Sequence, residues 1–362
     1  MKKITRILAL AMVLCLCLPL LAQGEEAMTQ IKGTLKNTIK LKKNYPANPV
    51  VEGESPVTGL PSSGEAYTPI LIDLDGAPQA YPHWGINEAD WLFQVPNAGV
   101  GSTKLMALYT ETYPEQAGGV RSARASMLPV AYAFDAAFAY AGIAPVEGKN
   151  VNVDTINRKY GYKKGEKSFN LIADQSAFRS RFKDVYEPHN LSCHIAQLHQ
   201  HLIDTGVSFT KRPFRFADAP RTDGAAASVV RIVHRGDTTD KPVNPSSTAT
   251  FTYSEALGGY TRAYSEGEDV DRYTGEAPVF ANLIVLRVKF RWQKGYVYLD
   301  DHMTGTGVIE IFQNGRYVRG AWKREGVMDR LILIGPDGTE LELQRGKTFM
   351  VVTNDATGVS YR

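Results

Sequence analysis

The sequence is poor in cysteine, and it has no net charge once its N-terminal segment is set aside. Of its three cysteines, Cys15 and Cys17 lie in an N-terminal apolar run and only Cys193 lies beyond it. A single thiol cannot form an internal disulfide, so the fold must rely on its hydrophobic core. Loss of residues 1–24 removes three of the 41 basic residues and none of the 38 acidic ones, which leaves 38 of each. We therefore expect no nucleic-acid partner, because nonspecific nucleic-acid binding needs a basic face.

Long apolar runs are also scarce: the sequence has one, from Ile7 to Leu21. This run follows three basic residues and precedes small residues, which is the pattern of a secretory signal peptide over residues 1–24. It is shorter than the ~20 apolar residues that a membrane span needs. We therefore predict a secreted, extracellular or cell-envelope protein without a transmembrane span in the mature chain; an uncleaved anchor is the alternative. Leucine, rather than a small residue, precedes both Cys15 and Cys17, which favours free secretion over lipid attachment.

Motifs for cofactor, metal and hydrolase chemistry are incomplete. Gly99-Val100-Gly101 lacks the third glycine of a dinucleotide loop, and the sequence contains no Gly-x-Ser-x-Gly elbow. We expect no cofactor. The histidines from His189 to His201, together with Cys193, resemble a metal site, but ligands on a helix usually stand three or four residues apart so that both reach one ion. We therefore expect no metal, and the sequence leaves open whether the protein is an enzyme.

Composition divides the chain into a tether and two domains. Residues 25–54 are polar and rich in lysine, which predicts a solvated tether; the alternative is attraction to an anionic wall or lipid surface. A small, polar stretch at about 218–228 predicts the boundary between an N-terminal domain over 55–217 and a C-terminal domain over 228–362.

The two domains have different patterns. The first mixes predicted strands with predicted helices over Ser122–Asp135 and Leu191–Asp204, which indicates an α/β layered domain. Pro129 marks a kink or a fresh first turn within the first of these helices. The second has short strands separated by turn signals, with Asn314-Gly315 as a strong two-residue hairpin signal. The predicted fold class is thus a two-domain α+β chain, with an N-terminal α/β domain and a C-terminal β-rich domain.

The most informative stretch is Gly118 to Arg124, where Arg121, Ser122 and Arg124 follow a glycine pair. The pattern predicts a helix start, at which backbone N–H groups and two guanidinium groups form an anion-binding corner. The alternative is structural: the arginines pair with internal carboxylates such as Glu111 or Asp135, and Ser122 caps the helix.

Two further positions are candidates. Pro188 restricts the backbone before His189-Asn190, which aims these polar side chains, and His189 is a candidate acid or base near neutral pH. The alternative is a loop histidine that caps the following helix. Trp322 is a candidate for stacking on a sugar ring, and the alternative is a position in the core or at a domain seam.

Five blocks of the sequence resemble one known family in the same order along the chain. The blocks are Pro56–Pro61, Tyr81–Asp90, Gly119–Arg124, Pro188–Asn190 and Gly305–Arg324. They are similar to the YerB-like lipoprotein family of Gram-positive bacteria, a domain family of unknown function (DUF family 3048). The resemblance implies an extracytoplasmic protein with an N-terminal α/β and a C-terminal β-rich domain, and it supplies no reaction. This chain departs from the family in lacking a suitable lipid-attachment cysteine and in having Gly119 where the family favours proline.

Two functions remain open. The first is a noncatalytic envelope protein that binds a polar or anionic wall component, or an envelope protein, near Arg121, Arg124 and His189. The second is an envelope hydrolase or transferase in which His189 is the base and Glu111 or Asp135 supplies a carboxylate. In that second case the arginines would stabilise the developing charge.

Overall fold

The computed structural model describes residues 27–97, 101–234, 247–299 and 302–362. The predicted signal peptide, with Cys15 and Cys17, lies outside the described residues. The described part of the chain contains three short α-helices: α1 (Leu128–Phe134), α2 (Val153–Lys159) and α3 (Ile195–Asp204). None of the helices in these ranges has both the length and the apolar character that crossing a membrane requires.

Strands make up most of the regular structure. Those that begin before residue 227 are β1 (Thr29–Ile31), β2 (Ile70–Leu74), β3 (Trp91–Pro96), β4 (Thr103–Tyr109), β5 (Ala117–Gly118), β6 (Ala137–Tyr140), β7 (Ser168–Asn170), β8 (Arg179–Arg181), β9 (Leu191–Cys193), β10 (Arg215–Phe216) and β11 (Ala225–Ala226). Those that follow are β12 (Val229–Val233), β13 (Thr248–Ser254), β14 (Gly259–Tyr264), β15 (Gly267–Glu268), β16 (Asn282–Arg287), β17 (Phe290–Gln293), β18 (Tyr296–Leu299), β19 (Gly305–Gln313), β20 (Arg316–Arg324), β21 (Ile332–Ile334), β22 (Glu342–Leu343), β23 (Thr348–Thr353) and β24 (Gly358–Tyr361).

One large sheet crosses the middle of the molecule in the order β11-β20-β19-β16-β23-β3-β4-β2-β6-β7, and β21 pairs with β20. Strand β3 from the first half of the chain lies parallel to β23 from the second half. The sheet is therefore continuous across the predicted boundary at about 218–228. The predicted boundary separates two halves of the sequence that share this sheet.

The central strands are buried on both faces, which explains why they read as continuous apolar runs in the sequence. Alternate residues enter two hydrophobic clusters: Leu71 and Phe93 belong to the cluster that includes α1, whereas Ile72 and Leu92 belong to the cluster that includes α3. Both clusters contain residues from both halves of the chain. The two halves of the sequence thus contribute to the same hydrophobic clusters.

The β-rich part of the predicted fold class is confirmed for the described residues. The α/β layering of the first half is not, because its helices are short and sheet dominates there as well. The predicted helix over Ser122–Asp135 is shorter in the structure: a 3₁₀ turn at Ala125–Met127 leads into α1. Pro129 lies in the first turn of α1, which was one of the two predictions for this proline. The predicted helix over Leu191–Asp204 begins as β9, because these residues pair with β5 and β8, and only then continues as α3.

Residues 27–54 do not form a solvated tether throughout. Strand β1 pairs antiparallel with β24 at the C-terminus of the chain. Ile39, Leu41 and Tyr45 pack on a small cluster formed by β20 and β21, and the Tyr45 hydroxyl donates to the carbonyl of Gly338 at 2.9 Å. This segment therefore packs along the surface of the fold. The local sequence does not predict this packing, because the partners of its scattered apolar residues lie far away in the sequence.

Candidate functional site

The candidate site lies at one edge of the large sheet. Strands β2, β6 and β7 are mutually parallel, so their carboxyl ends meet at this edge. The segment from Val120 to Ala123 runs between the ends of β2 and β6: the Arg121 amide donates to the carbonyl of Asp73 at 3.3 Å and its carbonyl accepts from Ala141 at 2.8 Å. Ligand sites of open sheets with parallel strands commonly lie outside such carboxyl ends.

Asp75, directly after β2, joins the two parts of the predicted site. His189 Nδ1 donates to Asp75 Oδ2 at 2.8 Å, and Arg121 Nε lies 3.3 Å from the same oxygen. The arginine and the histidine are 68 positions apart in the sequence. A single carboxylate therefore holds both side chains in one cluster, which we call the Asp75 cluster (Asp75, Arg121 and His189).

Several bonds fix Asp75 itself. Its other carboxylate oxygen accepts from the Ala77 amide at 3.1 Å, its own amide donates to the carbonyl of Gly119 at 2.8 Å, and its carbonyl lies 2.9 Å from Nε2 of the buried His83. Burial lowers the pKa of His83, so this imidazole is neutral and donates its Nε2 proton to Asp75. The carboxylate is thus oriented from both sides before any ligand arrives.

The cluster presents unused polar atoms to solvent. The Arg121 side chain is 35% exposed and that of His189 is 15% exposed, against 6% for Asp75. Within the described parts of the chain, neither the two terminal guanidinium nitrogens of Arg121 nor Nε2 of His189 has a partner. Since Nδ1 of His189 donates to Asp75, its Nε2 is an acceptor when the imidazole is neutral.

A buried ion pair lies beneath the cluster. Lys104 Nζ donates to Asp73 Oδ2 at 2.6 Å and to the carbonyl of Ser122 at 3.1 Å, and both charged side chains are almost fully buried. Burial raises the pKa of Asp73 to about 6, opposed by the positive charges of Lys104 and Arg124, and burial lowers the pKa of Lys104. The second carboxylate oxygen of Asp73 is buried without a partner among the described residues.

Ser122 and Arg124 have structural partners. Ser122 Oγ donates to the carbonyl of Ala141 at 3.0 Å, and Arg124 Nη1 donates to the carbonyls of Ser122 and Ala123 at 2.8 and 3.0 Å. No helix begins at this position, because α1 starts at Leu128. The expected N-cap at Ser122 and the contribution of a helix N-terminus are therefore wrong, whereas the clustering of arginine with His189 is found.

Asn190 holds the loop that carries His189. Its amide nitrogen donates to the carbonyl of Phe182 at 2.9 Å, and its amide oxygen accepts from Arg181 at 2.9 Å. Phe182 stacks on Trp84 with ring centroids 3.8 Å apart. The side chain of Asn190 is buried, and both of its amide atoms bond within the loop, which ties the residue next to His189 to Phe182 and Arg181.

Glu111 and Asp135 lie at the other end of the sheet. Ile70, at the start of β2, pairs with Tyr109 just before Glu111 and with Ala137 just after Asp135. Asp75 is five residues further along, or about 17 Å at the rise of an extended strand. Glu111 accepts from the amide of Ser63 at 2.9 Å, and Asp135 lies 2.5 Å from Lys167 Nζ. Neither carboxylate joins His189, which corrects the expected grouping.

The remaining candidates are elsewhere. Trp322 is 3% exposed and its Nε1 donates to the carbonyl of Arg287 at 2.8 Å, so it fills the core and offers no surface for a sugar. His194 bonds Ser180 at 2.9 Å and His199 bonds Thr68 at 2.5 Å, so each of these histidines has a partner other than the Asp75 carboxylate that His189 bonds. The described residues contain no group of three or more metal-ligating side chains.

The sequence reasoning missed Asp73, Asp75 and Lys104. A usable signal was present in Ile70-Leu71-Ile72-Asp73-Leu74-Asp75, where two carboxylates stand at the end of a buried strand. A charged residue inside such an apolar run requires a partner, because an unpaired buried charge is costly. What the run alone does not reveal is that the partners come from β4 and from the loop at His189.

Two family models match this chain. The model described as "Protein of unknown function (DUF3048) N-terminal domain" matches residues 57–208, and the model described as "Protein of unknown function (DUF3048) C-terminal domain" matches residues 240–350. A curated relative from Bacillus subtilis (strain 168), "Putative lipoprotein YerB", is 24% identical over 314 residues, which cover 85% of this chain and 88% of that protein. The crystal structure of YerB from Bacillus subtilis is similar in fold, with a TM-score of 0.69 and 22% identity over 84% of this chain and 99% of that chain.

Proposed function

This chain belongs to the DUF3048 family of proteins of unknown function, and from this starting point we propose that it is an extracytoplasmic envelope protein that binds an anionic wall component at the Asp75 cluster. One observation carries the proposal. Asp75 holds Arg121 and His189 side by side while their outer nitrogens stay exposed and unpaired among the described residues. A guanidinium fork in this state matches a phosphate or carboxylate group.

The balance of charge supports an anionic ligand. Three cationic side chains, Lys104, Arg121 and Arg124, stand against two carboxylates, Asp73 and Asp75. The group therefore has a net positive charge even with a neutral imidazole. Both carboxylates and Lys104 are buried, so an approaching ligand meets the 35%-exposed side chain of Arg121 first.

The proposed location rests on the sequence and on the relative. The segment over residues 1–24 has the pattern of a secretory signal, and the Bacillus subtilis relative carries the name "Putative lipoprotein YerB". In this chain the leucines before Cys15 and Cys17 favour a secreted form without a lipid. We thus propose a protein held at the envelope by its ligand rather than by an anchor.

Binding measurements on full-length secreted protein test the proposal. We expect Arg121→Gln to weaken binding of inorganic phosphate in calorimetry, and binding of purified wall material in a sedimentation assay, by about tenfold or more, since it removes a charge-assisted contact. Arg215→Gln is the matched control, because Arg215 is an exposed arginine paired with Glu342 at 2.9 Å. Equal binding by the wild type and Arg121→Gln would remove the proposal.

A second candidate is a hydrolase or transferase of envelope polymers, and the His189–Asp75 hydrogen bond favours it. A carboxylate on Nδ1 orients an imidazole whose Nε2 can accept a proton from a water molecule that attacks the substrate. Arg121 would stabilise the negative charge that develops. In this version Asp75 takes the role first assigned to Glu111 or Asp135.

Mass spectrometry of wall fragments incubated with the protein separates the two functions. Product release by the wild type that is lost in both His189→Ala and Asp75→Asn supports the enzyme. Unchanged fragments would leave binding as the function, and turnover that survives His189→Ala would rule out His189 as the base of the reaction.

A further inference from the structure

Two exposed apolar side chains lie near the candidate site, one beside His189 and one near Ser122. Tyr186 is 62% exposed, and its ring centroid lies 5.4 Å from that of His189 with the ring planes nearly perpendicular. Ile172 is 53% exposed and lies beside Gly142, where an added Cβ would be 3.0 Å from Ile172 Cδ1 and 3.7 Å from Ser122 Oγ. Apolar surface is therefore exposed next to His189, which shares the Asp75 carboxylate with Arg121.

Tyr186 stands on a loop that is already ordered. The His189 amide donates to the carbonyl of Tyr186 at 3.1 Å, and the Phe182 amide donates to the carbonyl of Asn190 at 2.8 Å, which closes the loop at its base. The stacked Phe182 and Trp84 rings and the buried Asn190 side chain hold that base against the body. A ligand that packs on Tyr186 would therefore pay little for ordering the loop.

The arrangement selects among ligand classes. An inorganic anion would contact Arg121 and make no contact with the ring of Tyr186. A lipid chain would need a continuous apolar groove, whereas here the Tyr186 ring adjoins His189, which is bonded to the Asp75 carboxylate. A pyranose ring has one C–H face that packs on an aromatic ring and a rim of hydroxyls that suits polar neighbours such as Nε2 of His189. A charged substituent on that ring would reach the guanidinium.

We propose that the Asp75 cluster binds an anionic sugar, with the charged substituent on Arg121 and the ring face on Tyr186. This inference rests on the proposed function and names its ligand class, a pyranose that bears a phosphate or a carboxylate. Tyr186 acts as a specificity residue: it contributes to sugar-bearing ligands alone. The two possible charged groups share the same contact with Arg121, so the experiment has one arm for each.

Calorimetry with four probes tests the inference: glucose 1-phosphate, glucuronate, inorganic phosphate and glucose. We expect Tyr186→Ala to weaken binding of the better of the two charged sugars by about fivefold, as expected for loss of one aromatic contact, and to leave inorganic phosphate unchanged. Tyr186→Phe keeps the ring and should bind as the wild type does. Leu257→Ala is the control for loss of an equally exposed apolar side chain, because Leu257 is 56% exposed on the turn between β13 and β14.

The outcomes separate this inference from the proposed function. If the wild type and Tyr186→Ala bind the charged sugars equally while Arg121→Gln binds them more weakly, the contact between the sugar and Tyr186 is overturned. Anion binding by Arg121 would remain supported. A Tyr186→Ala defect that extends to inorganic phosphate also overturns it, since the loop would then have been disturbed. If Arg121→Gln leaves the affinities for phosphate and for both charged sugars unchanged, the proposed function is wrong. It is also wrong if the wild type binds none of these three probes.

Discussion

At the scale of single residues, the geometry of the candidate site depends on close approach of two backbone segments. The amide of Val120 donates to the carbonyl of Leu191 at 2.7 Å, which brings the arginine segment against the histidine loop. Gly119 lies in this contact, and a Cβ at Gly119 would be 2.2 Å from the carbonyl oxygen of His189. The absence of a side chain there is what lets His189 reach Asp75.

Gly119→Ala therefore tests the packing of the site. We expect the free energy of unfolding to fall by about 1–3 kcal/mol, because the added methyl group must displace the His189 backbone. Phosphate affinity should fall with it. Urea unfolding and calorimetry measure the two effects. Gly358→Ala is the control, since its Cβ would meet Val233 at an ordinary 3.6 Å; similar stability of both variants would show that the contact is looser than described.

The buried Asp73–Lys104 pair gives a second prediction at this scale. In the wild type, Asp73 should titrate with a pKa of about 6. Lys104→Met removes the positive charge that opposes the effect of burial, so the pKa of Asp73 should rise further. NMR titration of the Asp73 carboxyl carbon measures both values, and Asp73→Asn identifies the signal. A wild-type pKa near the ordinary 3.8 would contradict this account.

The same shift has a consequence for stability. The pKa of Asp73 is raised in the folded protein, so the folded state holds this proton more tightly than the unfolded state. The resulting contribution to the free energy of unfolding is fully present below about pH 4, near the unfolded value, and is lost as pH rises through about 6. Asp73→Asn should remove this component of the pH dependence.

At the scale of elements, the central strands carry charge where apolar packing would be expected. Arg287 on β16 and Glu310 on β19 are both fully buried, with Arg287 Nε 2.8 Å from Glu310 Oε1. Arg287 Nη1 also donates to the carbonyls of Asn354 and Thr357 at 2.6 and 3.1 Å, near the start of β24. The pair thus ties the middle of the large sheet to the six-stranded sheet of β1, β24 and β12–β15.

Replacing one member of this ion pair should lower the free energy of unfolding more than replacing both members. Glu310→Leu leaves the Arg287 charge buried without a carboxylate, and we expect it to lower the free energy of unfolding by about 3–5 kcal/mol. The double variant Arg287→Met/Glu310→Leu should recover most of this loss, because both charges are then gone. Urea denaturation of the two variants gives the comparison. A double variant no more stable than the single one would mean that the backbone contacts of Arg287 matter more than its charge.

At the scale of the whole molecule, the two halves of the sequence form one core. The parallel pairing of β3 with β23 joins them, and both hydrophobic clusters draw residues from each half. Since neither half has a core of its own, we expect one cooperative unfolding transition, with calorimetric and van't Hoff enthalpies that agree. Differential scanning calorimetry measures it. Two resolved transitions would instead indicate two parts that unfold independently, divided at about residues 218–228.

Buried histidines make the molecule sensitive to acid. Burial, together with the charges of Arg262 and Arg287, lowers the pKa of His234 to about 3 in the folded protein. Below an unfolded pKa of about 6.5 the unfolded chain therefore binds more protons, and the free energy of unfolding falls as pH drops toward 3. The slope from this group is at most about 1.4 kcal/mol per pH unit. His234→Leu should flatten urea-unfolding data between pH 6.5 and 4, and an unchanged slope would rule out His234 as the cause.

Local patterns in the sequence were sufficient to predict the elements whose structure depends on residues that are close together in the sequence. The apolar run at Ile70–Leu74 is a strand buried on both faces, and Asn314-Gly315 forms the two-residue turn of the β19–β20 hairpin. Pro129 stands in the first turn of α1. The pattern also singled out Arg121 and His189, which both contact Asp75, although it assigned Arg121 to a helix start that is strand-like instead.

Tertiary structure alone decided which distant residues meet. The helical spacing of apolar residues over Leu191–Asp204 begins at Leu191, yet Leu191–Cys193 is a strand because it pairs with β5 and β8. Asp75, and not Glu111 or Asp135, is the carboxylate at His189. Asp135 precedes β6, which is parallel to β2, and Glu111 follows β4, which is antiparallel to β2, so both acids lie at the opposite edge of the sheet from Asp75. The physical reason is the same in both cases: propensity and periodicity are properties of neighbours in sequence, whereas pairing across a sheet is settled by the topology of the whole chain.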